Sequence, residues 1–184
     1  TDLNEFWAKV EDISSEQVEL FLPCHLAEIL SLLSDCQRPS TELIRFLNRR
    51  SRRLYRSFDA PEIGMIIRAY GKLDFKSLET IRVLGSRLAG LLQDPEQRDT
   101  VKGSDIVSLV ATYAHLQISW KKSRKVDQEL KMWKALAVAL PRMLPEMTPR
   151  EISYMLNGFA RLDFSNSSIH SNVSQMFSAT ANHL

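Results

Sequence analysis

At 184 residues the chain is long enough to bury a substantial core within one continuous structural unit. Its 44% hydrophobic and 25% charged residues are ordinary for a globular protein, and only 6 glycines and 7 prolines argue against a turn-rich β-fold and against disorder. The 24 basic and 22 acidic residues leave a formal charge of +2, no run of 18 apolar residues marks a membrane span, and two cysteines cannot build a disulfide framework.

Residues 1–21 predict an N-terminal extension of one or two helices, with Ser14 and Ser15 as candidate caps. From His25, the stretch HLAEILSLLSDC places Leu26, Ile29, Leu30, Leu33 and Cys36 along one helical face. The helix that follows aligns Leu43, Leu47, Leu54 and Phe58 on its apolar side. Asp59-Ala60-Pro61-Glu62 is helix-start chemistry: an N-cap acceptor, a proline in the first turn, and a glutamate able to reach back to the cap N–H. It opens EIGMIIRAYGKLDF, and Leu78, Ile81, Leu84, Leu88 and Leu91 then mark a second helix stopped by Asp94-Pro95. Ser104-Asp105 is a shorter start, for DIVSLVATYAHLQI. Val126, Leu130, Trp133, Leu136 and Leu140 line its partner helix, expected from about 122 to 140. Thr148-Pro149-Arg150-Glu151 is a full capping box opening EISYMLNGFARLDF, and a last helix is expected from about 168 to the C-terminus.

The three first-helix phrases align without a gap, and the His25 phrase is a weaker fourth copy. Ile63, Ile106 and Ile152 are equivalent, as are Tyr70, Tyr113 and Phe159, and Leu73, Leu116 and Leu162. Small residues flank each ring: Ala69, Thr112 and Gly158 before it, Gly71, Ala114 and Ala160 after it. That pattern permits close helix approach with the ring as the knob. One hairpin cannot bury its own apolar faces, so neighbours must stack. The expected fold is all-α, an α-solenoid of about four stacked helical hairpins, with copies at about 22–58, 59–101, 102–147 and 148–184.

The phrases PEIGMIIRAYGKLDF and TPREISYMLNGFARLDF resemble heptatricopeptide repeats, which are similar to octotricopeptide repeats and to the helical regions of FAST-kinase-like and RAP-domain proteins. The resemblance covers residues 59–164 well and the rest more loosely. It implies a non-catalytic, RNA-associated α-solenoid in a mitochondrion or plastid, acting in transcript maturation or as a structural part of an organellar ribosome. No RAP-type C-terminal domain is recognisable, so the resemblance implies no nuclease-like activity.

Arg45 to Arg56 reads RFLNRRSRRLYR, six arginines without an acid. Arg45, Arg49, Arg52 and Arg56 stand at i, i+4, i+7 and i+11, a ridge roughly 16 Å long on one helix, widened by Arg50 and Arg53. Guanidinium groups so arranged can hold backbone phosphates, probed by counterion release. Two other readings stay open. The acids Glu11, Asp12, Glu16 and Glu19 of the N-terminal segment can neutralise the ridge, or an acidic protein partner can. Lys121, Lys122, Arg124 and Lys125 form a second basic run, either a second phosphate contact or an exposed loop. Trp120 beside it is a packing anchor or a base-stacking ring. Lys72, His115 and Arg161 share one repeat position, suited to a helix C-terminus or to a basic row along a groove.

No glycine-rich phosphate loop, nucleophile elbow or paired-histidine motif appears, so no enzyme activity, cofactor or metal is expected. Cys24 adjoins His25 without a second ligand pair, and both cysteines read as small, partly buried apolar residues in a reducing compartment. The expected partners are RNA, rRNA foremost, through its phosphates, and neighbouring proteins of a large assembly, with no small-molecule substrate. The alternative is a protein-only scaffold or accessory subunit of a mitochondrial enzyme complex, anchored by Phe6, Trp7, Trp120 and Trp133.

Overall fold

The computed structural model describes residues 3–37, 40–119, 121 and 126–162, together with the single positions 171, 174 and 178. Among these, the regular structure is all helical: α1 (Leu3–Gln17), α2 (Pro23–Asp35), α3 (Thr41–Arg53), α4 (Ala60–Lys72), α5 (Leu78–Gln93), α6 (Gly103–His115), α7 (Val126–Met143) and α8 (Pro149–Leu162), with short 3₁₀ turns between them. No described helix is long and apolar enough to cross a membrane. The helix expected after 168 lies outside the described residues, apart from three helical positions.

The chain alternates between two layers. Helices α2, α4, α6 and α8 pack each against the next, while α1, α3, α5 and α7 pair in the same order alongside. The repeat explains this order. Each first helix turns the same face inward, and Ile63, Ile66, Ile67 and Tyr70 of α4 are fully buried, as are Ile106, Leu109, Val110 and Tyr113 of α6. Ile152, Met155 and Phe159 do the same for α8. Trp133 of α7 sits edge-on to Tyr113, ring centroids 4.9 Å apart, and 6.1 Å from Phe159. Burying each such side chain contributes about 1.5–3 kcal/mol.

The small residues set the spacing. A Cβ added at Gly71 of α4 would stand 2.8 Å from Thr112 Oγ1 of α6. One added at Gly158 of α8 would stand 2.4 Å from Val110 Cγ1. The approach is close enough for the buried Thr112 hydroxyl to donate to the Ile67 carbonyl of the neighbouring helix, at 3.1 Å.

The helix ends repeat as well. Asp59 and Glu62 exchange reciprocal capping bonds of 2.9 Å, and Thr148 and Glu151 close the same box at 2.8 and 3.3 Å. At the other end Gln37, Asp74 and Gln117, one in each of the first three copies, take the left-handed conformation with φ of 49°, 51° and 52°. Phe75 N–H then bonds the Tyr70 carbonyl and Ile118 N–H the Tyr113 carbonyl, both at 2.9 Å. This is the Schellman closure, in which the hydrophobe after the left-handed residue folds back on the helix. The repeated Leu-Asp-Phe and Leu-Gln-Ile endings are its sequence trace.

Four local expectations are corrected. Ser14 and Ser15 cap nothing: α1 runs through them to Gln17, because Trp7, Ser14 and Val18 form one buried stripe against the layer. α6 starts before Ser104, which lies inside it; Asp105 accepts from the Lys102 N–H at 2.9 Å and Ser108 donates to the Ser104 carbonyl at 2.8 Å. Helix α3 ends at Arg53, so Leu54 caps it and Phe58, fully buried, follows a 3₁₀ turn over Tyr55–Ser57. Cys24 and Cys36 are exposed rather than partly buried, at the first turn and the C-cap of α2.

Candidate nucleic-acid interface

Helix α3 is built to hold its arginines outward. Ser40 Oγ caps its start, accepting from the Leu43 N–H at 3.4 Å, and Leu43, Ile44, Leu47 and Ser51 bury the opposite face. Ser51 keeps its hydroxyl satisfied on the Leu47 carbonyl at 2.8 Å. Arg45, Arg49 and Arg52 are exposed at i, i+4 and i+7, and the last turn gathers Arg50, Arg52 and Arg53, where cations complement the helix dipole. Arg56 is not on this helix, since it follows the Leu54 cap, and the expected four-residue helical ridge is three residues long.

Half of the arginines meet carboxylates within the chain. Glu19, in the 3₁₀ turn after α1, spans Arg50 Nη1 at 3.1 Å and Arg53 Nη1 on its other oxygen. Arg52 Nη2 reaches Glu79 Oε1 of α5 at 2.7 Å. Neutralisation by the N-terminal acids is therefore real for two arginines. Glu79 was not singled out in the sequence, although it sits in the first turn of the helix that packs beside α3.

Arg45, Arg49 and Arg56 are exposed and have no carboxylate within 4.0 Å among the described residues. The Arg49 guanidinium lies 5.5 Å from the Phe46 ring centre, and Arg56 Nε donates to the Tyr55 hydroxyl at 2.9 Å. Arg49, Arg52 and Arg53 line a shallow depression of about 350 Å³ with Tyr55, Glu79 and Val83. Chemically, this is a cationic, aromatic-edged surface able to accept phosphate oxygens.

Of the second basic run, only Lys121 is among the described residues. Lys121 lines a separate depression of about 520 Å³ with Gln117 and Arg161, beside the ends of α6 and α8. Lys122, Arg124 and Lys125, with Trp120, lie outside the described residues. The basic row at the first-helix ends is partly bridged: Lys72 Nζ meets Asp35 Oδ1 at 2.6 Å, and His115 Nε2 meets Asp74 Oδ1 at 2.7 Å. Both ties run from one copy back to the copy before it. Trp7 and Trp133, expected as partner anchors, are buried in the core, and the Phe6 side chain is outside the described set.

The strongly perturbed groups are structural. Glu129 of α7 is buried and paired with Arg82 Nε of α5 at 2.6 Å. Burial pushes the Tyr113 phenol well above its ordinary range, with the Glu129 charge adding to it, and burial does the same for Tyr70, whose hydroxyl donates to Asn48 Oδ1 at 3.1 Å. Burial raises the Asp105 carboxyl, against the pull of the Lys102 N–H bond and the Arg68 charge. His25 accepts the Leu22 N–H at 3.3 Å and so closes the start of α2. Among the described residues no three His, Cys, Asp or Glu side chains gather into a metal-binding group. Compared with known proteins, the sequence matches no protein-family model and no curated protein.

Proposed function

We propose that this chain is a non-catalytic α-solenoid of about four stacked hairpins that contacts RNA through phosphates, as a structural component of an organellar ribonucleoprotein. The observation that carries this reading is the exposed trio Arg45, Arg49 and Arg56, which lacks carboxylate partners among the described residues and flanks Arg52. The Arg52–Glu79 pair is exposed on both sides, at 43% and 67%, and such pairs are worth about 0–1 kcal/mol, little enough for a phosphate to displace. Like charges at i, i+4 repel, so the arrangement of Arg45 and Arg49 favours an external anion. The two-layer alternation of the helices supports the solenoid, and the repeat resemblance supports a mitochondrial ribosome as the assembly and the matrix as the place.

The test is binding to a structured ribosomal RNA fragment across a salt series. Arg45→Glu/Arg49→Glu is expected to lower the slope of log affinity against log salt by about 2, one phosphate for each arginine. Arg50→Gln/Arg53→Gln, whose parent side chains grip Glu19, should change the slope much less. Absence of binding at low salt, or an unchanged slope in the first variant with its helicity intact, overturns the reading.

A second reading is favoured by one observation. Leu20 and Leu22, at the turn between α1 and α2, are 76% and 56% exposed, which suits a protein contact. A scaffold would lose its assembly on Leu20→Ser/Leu22→Ser and keep it on Arg45→Glu/Arg49→Glu.

A further inference from the structure

The seam between α4 and α6 opens to solvent as a trough of about 550 Å³, a volume in the range of ligand clefts. Gly71, Val107 and Ala111 form much of its floor, and Tyr154 of α8, 47% exposed, stands at one wall. Arg68, Lys72 and the His115 imidazole line it, and two of them already have partners: Lys72 meets Asp35, and His115 Nε2 meets Asp74 Oδ1. Arg68 is the exception. Its Nη2 and Nε donate to Ser108 Oγ at 3.2 and 3.4 Å, and no carboxylate lies within 4.0 Å among the described residues. Asp105, whose carboxyl feels the Arg68 charge, is buried and committed to the Lys102 N–H. A guanidinium has five N–H donors, so the exposed Arg68 retains donors for an incoming group.

The balance of charge selects the occupant. A nucleic-acid strand brings one phosphate per nucleotide, but among the lining residues only Arg68 is a cation without a carboxylate within 4.0 Å, and Asp74 stands on the wall. The Arg150 guanidinium is stacked on the Tyr154 ring and bonded to its hydroxyl. A peptide brings one carboxylate, beside apolar side chains that suit Val107, Ala111 and the Tyr154 ring. We infer that this trough binds an extended segment of a partner protein in which an Asp or Glu adjoins a large apolar residue. The carboxylate pairs with Arg68, and the apolar side chain lies on the Val107–Ala111 floor against Tyr154. The site is on the first-helix layer and independent of the α3 arginines.

A random heptapeptide display library selected on the full chain supplies the probe, and labelled peptides of the resulting consensus are then titrated by fluorescence anisotropy. The expected consensus places Asp or Glu within two positions of Leu, Ile or Phe. Affinity should fall at least tenfold in Arg68→Glu and in Tyr154→Ala, and stay unchanged in Arg49→Glu/Arg52→Glu. Arg68→Gln, which removes the charge but keeps amide donors, should also weaken binding and serves if the glutamate variant does not fold. Lack of an acidic–apolar consensus overturns the inference, as does wild-type affinity in a folded Arg68→Gln. A ten-residue oligouridylate that displaces the peptide, with its own binding lost on Arg68 substitution, overturns it in favour of nucleic acid.

Discussion

Asp105 shows how one side chain carries opposing demands. Its carboxylate holds the Lys102 N–H at the start of α6 at 2.9 Å, yet it lies among the buried residues, and burial raises its pKa above the ordinary value. Between the unfolded value, about 4, and the raised folded value, the folded chain holds more protons than the unfolded one. Stability attributable to this group therefore falls as pH rises through that window. Asp105→Asn keeps an acceptor for the N–H and removes the charge. Its melting temperature should exceed the wild-type value at pH 7, and the difference should shrink toward zero below pH about 4. A difference that stays flat across pH would remove burial of the charge as the cause. None of this was readable from Ser104-Asp105 as letters, because which of two adjacent polar residues starts a helix depends on what the neighbouring helix covers. The Asp59 and Thr148 starts were legible because each has its full box, with both partners local.

At the scale of the element, glycine separates two kinds of helix position. Gly158 faces α6, where an added Cβ would meet Val110 Cγ1 at 2.4 Å and its backbone at 3.3 Å, so the neighbour has little room to give. Gly90 of α5 has nothing within 4 Å. Gly90→Ala should therefore stabilise by about 0.8–1 kcal/mol, the helix-propensity gain alone. Gly158→Ala should destabilise by about 1–3 kcal/mol despite the same gain, since overpacking a helix contact dominates. Urea midpoints of the two variants decide it, and equal stabilisation would mean α6 and α8 are not in tight contact. The spacing of small residues around Tyr70, Tyr113 and Phe159 made these contacts legible in sequence. The reach of α3 was less so: Leu54 and Phe58 continue the apolar period and are half-buried and buried, but the chain leaves the helix at Leu54. Hydrophobic periodicity reports which residues are buried, and a 3₁₀ turn can bury the same ones. The partners of the arginines were legible only in part, because Glu19 and Glu79 come from other elements and the sequence does not order elements in space.

Across the whole molecule, the strongest packing is in the layer of α2, α4, α6 and α8, where each helix packs on the next, so α4 and α6 are flanked on both sides there while α2 and α8 have one such neighbour each among the described residues. Local opening free energies should follow that order. Amide hydrogen exchange is expected to be slowest in α4 and α6 and faster in α1 and α2; uniform protection would indicate a single all-or-none unit instead. The same arrangement has a mechanical side. Gly71 against Thr112 and Gly158 against Val110 act as narrow hinges between successive members of one layer, each stiff because it is already at contact. A tilt at either contact would turn every helix beyond it in the row. The separation of α2 from α8 thus depends on three contacts in series, and a partner gripping both helices would read the sum of the angles between them.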